Sequence, residues 1–211
     1  MGSFKKGILG GFSGGIGTVI GGRWKSIDYM RSRPVGNTSS TPAQQVQRAK
    51  FTLVAQFIRS FNGLLKTTFK DGDHKMSGHN SALSYTLKNA VTGEYPDLSI
   101  DFSLVLVAKG NLPGAPSSTA ATVPGGKISF SWMDNSGVGQ AKPKDKAILV
   151  AYLAERNECI FTMKGGDRSM ATAVLDTPYF SGKEVHTWLA FITEKGQEVS
   201  PSVYTGKITV S

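Results

Sequence analysis

The side chains in this chain that could do chemistry are few and scattered. His74 and His79 stand within DGDHKMSGH, beside Asp71 and Asp73, a mixed oxygen and nitrogen set of the kind a shallow metal site would use. The same composition describes an exposed polar loop, and that is the expectation adopted. His186 precedes Thr187 and Trp188 in a run that alternates as a strand, where a hydrogen-bonded structural histidine is the default. Cys159 is the only cysteine, so no intramolecular disulfide and no CxxC pair can form. Flanked by Ile160 and Phe161, it reads as a strand core residue whose thiol is held protonated and poorly nucleophilic. No serine elbow, paired acid motif or HExxH accompanies these residues. The expectation is therefore a protein that is not an enzyme and has no cofactor, no metal and no small-molecule substrate.

The most unusual stretch is GILGGFSGGIGTVIGG, residues 7–22, with eight glycines in sixteen positions. A phosphate-binding P-loop needs GxxxxGK[ST], yet Gly17 to Gly22 is followed by Arg23-Trp24. The dinucleotide fingerprint fails too, because Ile20 stands where the third glycine should follow Gly15-Ile16-Gly17. No helix follows either, so the dipole that makes such loops bind anions is missing. Lys5-Lys6 ahead of the stretch imitates a signal peptide, but glycine replaces the leucine-rich core and no small-x-small cleavage site precedes Arg23. No run reaches the roughly 18 apolar residues that a spanning helix requires.

Charge is distributed unevenly. Residues 1–70 hold eleven Lys and Arg against Asp28 alone, a net +10, while residues 71–211 hold thirteen against fourteen. An acidic partner for the first third is implied: nucleic acid, an anionic surface or the acidic face of a neighbouring subunit. Arg23, Trp24, Lys25, Tyr29, Arg31 and Arg33 interleave cations with rings that could stack on bases.

The elements that position these residues can be read from periodicity. Residues 1–34 read as an extended, glycine-rich basic arm, with β-formers alternating with charges after Gly21-Gly22, which is taken as a hairpin turn. Thr41-Pro42-Ala43-Gln44 places Thr at N-cap, Pro at N1 and Gln at N3, a capping box that starts a helix. Its apolar stripe runs from Val46 through Phe57 and Ile58 to Leu65, and Asn62-Gly63 should break or bend it. A second helix is expected over Asn80–Asn89, then a buried strand over Leu98–Val107. The Gly/Pro/Ser/Thr-rich segment 113–126 reads as a linker between a helical region at 35–112 and a β-domain at 127–211. Strands are expected at Lys127–Trp132, Ala147–Ala154, Cys159–Lys164, Met170–Leu175, Glu184–Thr193 and Ser202–Val210. The fold class is thus α+β, with a fibronectin- or immunoglobulin-like β-sandwich at the C-terminal end.

The arm sequence through Pro34, then TPAQQVQRAKF, NSALSYTLKNAVTGEYPDLSIDFS and ISFSWMDNSG, together resemble a bacterial family of unknown function. The likeness covers nearly the whole chain and implies no catalytic residues. A looser similarity of the arm and TPAQ segments to phage or surface structural proteins points toward assembly.

These readings converge on a self-assembling structural protein, a subunit of a filament, surface appendage or virion-like particle. The arm would add as a strand to a neighbour's sheet, with Gly10, Gly14, Ile16, Val19, Ile20, Trp24, Ile27 and Tyr29 at the subunit interface. A basic patch of Arg23, Lys25, Arg31, Arg33, Arg48 and Lys50 would face acidic surfaces, or nucleic acid in the alternative reading. A glycan-binding surface module rests only on analogy with other sandwiches.

Overall fold

The computed structural model of the chain describes residues 2–4, 10–24, 27–34, 36, 40–69 and 76–211. It divides into two compact units, Met1–Pro42 and Ala43–Ser211. Among the described residues the fold is α+β, three α-helices with antiparallel sheets.

The first unit is a meander of four antiparallel strands in chain order: β1 (Ser3–Phe4), β2 (Phe12–Ile16), β3 (Val19–Trp24) and β4 (Ile27–Ser32). The stretch expected to extend as an arm folds into this sheet, so the backbone donors and acceptors of its inner strands, β2 and β3, find partners within the unit. The expected turn at Gly21-Gly22 is also corrected. Both glycines lie inside β3, where Gly21 opposes Gly14 and Met30 and Gly22 opposes Tyr29. The tight turn falls at Gly17-Thr18, and Gly17 takes φ +57°, a left-handed conformation that glycine adopts without a steric penalty.

The second unit begins with α1 (Pro42–Ser60), at the position the capping box indicates. Val54, Phe57 and Ile58 form its buried stripe. The break near Asn62-Gly63 is present: Phe61 leaves helical geometry and α2 (Asn62–Thr68) starts immediately after. Ser77 opens α3 (Gly78–Asn89), its hydroxyl accepting from the Asn80 N–H at 3.3 Å.

Residues 98–107 do not form the expected strand. Only a two-residue ladder occurs, β5 (Val91–Thr92) with β6 (Ser99–Ile100). The Asp101 carboxylate then accepts from the Ser103 N–H at 3.0 Å and starts a 3₁₀ turn over Phe102–Leu104. Beyond it the chain is buried without a ladder, because Val107 donates to Ser202 Oγ and accepts from Thr68 Oγ1, at 2.9 and 2.8 Å. Side chains supply the partners that a neighbouring strand would have supplied.

The segment read as a linker contains β7 (Thr119–Val123), which pairs with β8 (Lys127–Ser131), and Leu112 and Ala115 ahead of it are buried. The remaining strands fall close to their expected positions: β9 (Lys146–Leu153), β10 (Glu158–Thr162), β11 (Thr172–Asp176), β12 (Glu184–Ile192) and β13 (Val203–Thr209). They form a four-stranded sheet, β10-β9-β12-β13, and a three-stranded sheet, β11-β8-β7.

The four-stranded sheet is buried on both faces. Ile148, Val150 and Tyr152 of β9, with Trp188, Ala190 and Ile192 of β12, pack on the helices through Phe57, Phe61 and Leu65. Ala147, Leu149, Ala151 and Leu153, with Val185, Leu189 and Phe191, pack on Ile128, Phe130 and Leu175 of the other sheet. Double burial explains why β9 and β12 are near-continuous apolar runs and do not alternate. The helices therefore share a core with the strands that follow. Fully burying a side chain the size of Phe61 or Leu149 stabilises the unit by about 1.5–3 kcal/mol each.

Candidate functional site

The first unit buries almost nothing. Among its described residues only Gly21 is buried, and β4 is exposed at every position. Large apolar side chains lie open: Trp24 is 60 % exposed, Ile27 68 % and Met30 71 %, with Ile16, Val19 and Tyr29 also exposed. Ile20 is half-buried, and Gly10 lines a recess of about 260 Å³ with Gly11, Phe12 and Asp28.

Cross-strand register sorts these residues onto two faces. Trp24 opposes Ile27, Gly22 opposes Tyr29 and Ile20 opposes Arg31, so one face carries two aromatic rings, two isoleucines and a cation. The other carries Phe12, Gly14, Ile16, Val19, Gly21, Arg23, Asp28 and Met30. The glycines make room for rings. A Cβ on Gly22 would lie 2.8 Å from the Tyr29 ring, and one on Gly21 would lie 2.7 Å from the Phe12 ring. Each face thus has an aromatic side chain lying across a glycine, a device that pins register where a strand lacks side chains. The stretch that failed as a phosphate loop is used for close packing between strands.

The expected basic residues do not share one surface. Arg23 and Arg31 are on opposite faces of the sheet, and Arg23 pairs with Asp28 at 3.6 Å in an exposed ion pair of the kind that adds little stability. The Arg33 backbone N–H donates to the Thr18 carbonyl at 2.6 Å. Arg48 and Lys50 belong to α1 and so to the second unit, and Lys25 lies outside the described residues. Arg31 remains with Trp24, Ile27 and Tyr29, a combination able to hold an apolar surface, a ring system or a second sheet.

Other chemistry-bearing residues have structural partners. His186 Nδ1 shares a hydrogen bond of 2.8 Å with the Tyr204 hydroxyl, and its ring lies 4.0 Å from that of Phe102. Burial, and secondarily Lys207, pushes the imidazole below its usual range, with Glu184 opposing. Burial also raises the Cys159 thiol well above its ordinary value, and the Tyr152 phenol to about 12. Asp71, Asp73 and His74 lie outside the described residues, while His79 is in the first turn of α3. Among the described residues no group of three or more His, Cys, Asp or Glu is arranged to hold a metal ion. Nor is any helix among them long and apolar enough to cross a membrane.

One polar cluster escaped the sequence reading. Arg168 is fully buried, and its Nε donates to Asp145 at 3.2 Å, Nη1 to Asn135 Oδ1 at 2.5 Å and Nη2 to the Pro113 carbonyl at 3.1 Å. The guanidinium lies 3.8 Å over the Phe191 ring, and Trp132 Nε1 donates to the Arg168 carbonyl at 2.8 Å. Three loops are tied by one side chain. Burial lowers its pKa, and Asp145 opposes that shift. Every partner is supplied from within the chain, so the cluster reads as a fastening of the fold. Phe12 and Met30 were not among the expected interface residues, and simple alternation from Trp24 would put Met30 on the Trp24 face, whereas the pairing of β3 with β4 sets it on the face of Phe12.

The chain belongs to a family of unknown function (DUF6266), whose model matches residues 11–206. No curated protein matches it.

Proposed function

We propose that the chain is a non-enzymatic structural subunit that self-assembles through its N-terminal sheet, as part of a filament, surface appendage or virion-like particle. One observation carries this reading: exposed Ile16, Val19, Trp24, Ile27, Tyr29 and Met30 crowd a unit whose described residues bury only Gly21. A sheet this small gains stability by packing an apolar face, and exposed apolar patches mark interaction sites. The sheet ends in an exposed edge strand, β4, whose outer main chain is accessible for strand addition. In the same reading the three- and four-stranded sheets, sharing one core between their inner faces, resemble a fibronectin-like sandwich that would be displayed or packed laterally.

The test is sedimentation of the full-length protein across a concentration series, alongside Ile27→Lys. Concentration-dependent oligomers that the substitution weakens by roughly tenfold or more in apparent Kd are expected, since lysine at an apolar contact forfeits over about 1.4 kcal/mol. A monomer at every concentration would remove the reading.

Nucleic-acid binding is the second reading, favoured by Trp24, Tyr29 and Arg31 sharing a face. It expects Trp24→Ala and Arg31→Ala to weaken capture of a single-stranded oligonucleotide.

A further inference from the structure

We infer that the outer edge of β4 pairs, antiparallel and about a two-fold axis, with the β4 edge of a second copy of this chain, joining two four-stranded sheets into one of eight strands. The inference rests on the self-assembly proposed above and names the strand, the symmetry and the register.

Edge geometry selects β4. Among the described residues no strand lies beyond it, and all six of its residues are exposed. An edge strand presents a row of backbone donors and acceptors that template pairing unless something blunts it. The opposite edge, β1, has only two residues. At the edge of the larger sheet, four of the five residues of β10 are already half-buried. Within β4 neither proline nor lysine blunts it, Pro34 falling after its end, and its two charges, Asp28 and Arg31, are of opposite sign.

Charge then selects the register. In an antiparallel pair related by a two-fold axis, directly opposed residues lie on the same face, so the axis passes through one residue of β4 and its copy. An axis at Asp28 would set two carboxylates against each other, and one at Arg31 two guanidiniums; like charges directly opposed are destabilising. An axis at Tyr29 would place Arg31 against Ile27 and Asp28 against Met30, an apolar partner for each charge. An axis at Met30 sets Met30 on its copy, Asp28 against Ser32, and Arg31 against Tyr29, whose ring already lies across Gly22. That register gives two cation–aromatic pairs and a polar partner for each aspartate. An axis at either end of β4 would leave most of the strand unpaired. Isologous closure of this kind yields a discrete pair, and further growth must use another surface.

The test uses the full chain with Cys159→Ala, so that single cysteines can be introduced. Met30→Cys places two thiols on the axis, within the Cα separation that a disulfide spans. Tyr29→Cys reports the neighbouring register. Ile16→Cys, exposed but away from the β4 edge, reports random collision. Under mild oxidation Met30→Cys should form covalent dimer on the order of tenfold faster than Ile16→Cys, because pairing raises the local thiol concentration. If Tyr29→Cys leads instead, the register is overturned. If the protein associates in sedimentation while Ile16→Cys keeps pace with Met30→Cys, edge pairing is overturned and self-assembly stands. If no association occurs at any concentration, both fall.

Discussion

At the scale of single residues, the fully buried guanidinium of Arg168 has a large consequence for stability. Its hydrogen-bonding arms reach Asp145, Asn135 and Pro113, and losing them would leave the Asp145 carboxylate inside without a cation. Removing one partner of a buried pair typically costs about 3–5 kcal/mol. Arg168→Met should therefore lower the unfolding free energy obtained from urea denaturation by about that amount, and combining it with Asp145→Leu should cost less than the two single losses added. Trp132 was legible in the sequence as the end of an expected strand, and Asn135 follows it in the ISFSWMDNSG segment. Their partner Arg168 was not, because charge on a surface loop and charge under a ring look alike in one dimension. His186 carries a smaller, pH-dependent effect. Its folded pKa is depressed by burial and Lys207, so in acid the unfolded chain binds the proton more readily than the folded one. The stability from the neutral ring is present above the ordinary value of about 6.5 and declines as pH falls below it. His186→Gln should flatten the pH dependence of the thermal midpoint over that window; an unchanged slope would assign the acid loss elsewhere.

At the scale of elements, each glycine has its own role, and two positions in the N-terminal sheet separate them. A Cβ on Gly21 would collide with the Phe12 carbonyl oxygen and, at 2.7 Å, with its ring, whereas a Cβ on Gly15 would meet nothing within 4 Å. Gly21→Val should expose residues 19–24 and 27–32 to faster amide exchange, and Gly15→Val should leave their protection intact, as read by hydrogen–deuterium exchange. Equal effects would show that glycine matters here through chain flexibility and not through room for the ring. Strands β8 to β13 were legible because a strand covered on one face needs an alternating apolar run and one covered on both needs a continuous run, each closed by turn residues. Residues 98–107 were misread for a physical reason: a buried irregular segment needs the same apolar residues as a strand, and only the hydrogen-bond partners Thr68 and Ser202 distinguish them. β7 was missed because Thr-Ala-Ala-Thr-Val between Pro and Gly-rich flanks offers little side chain for a pattern to register.

At the scale of the whole molecule, the excess positive charge divides between units. The first holds six Lys and Arg against Asp28, and Arg23 is paired with that aspartate. Self-association through Trp24, Ile27 and Met30 would be chiefly an apolar effect, so oligomers in the concentration series should persist as salt rises. Nucleic-acid binding would behave oppositely, with affinity falling steeply as counterions compete for the phosphates. Salt is therefore the variable that separates the two readings on one sample.

The α+β class, the start and break of the first helix, and the six later strands were determined by the sequence itself, since caps, proline and apolar period act over a few neighbouring residues. So was the unusual character of residues 7–22, although not its use. Tertiary structure alone decided that the four-stranded sheet is covered on both faces, that Arg168 lies beneath a loop cluster, and that Gly21 and Gly22 sit under aromatic rings. Each of these depends on which distant residues meet. That is set by the packing of whole surfaces, and no local window of sequence contains it.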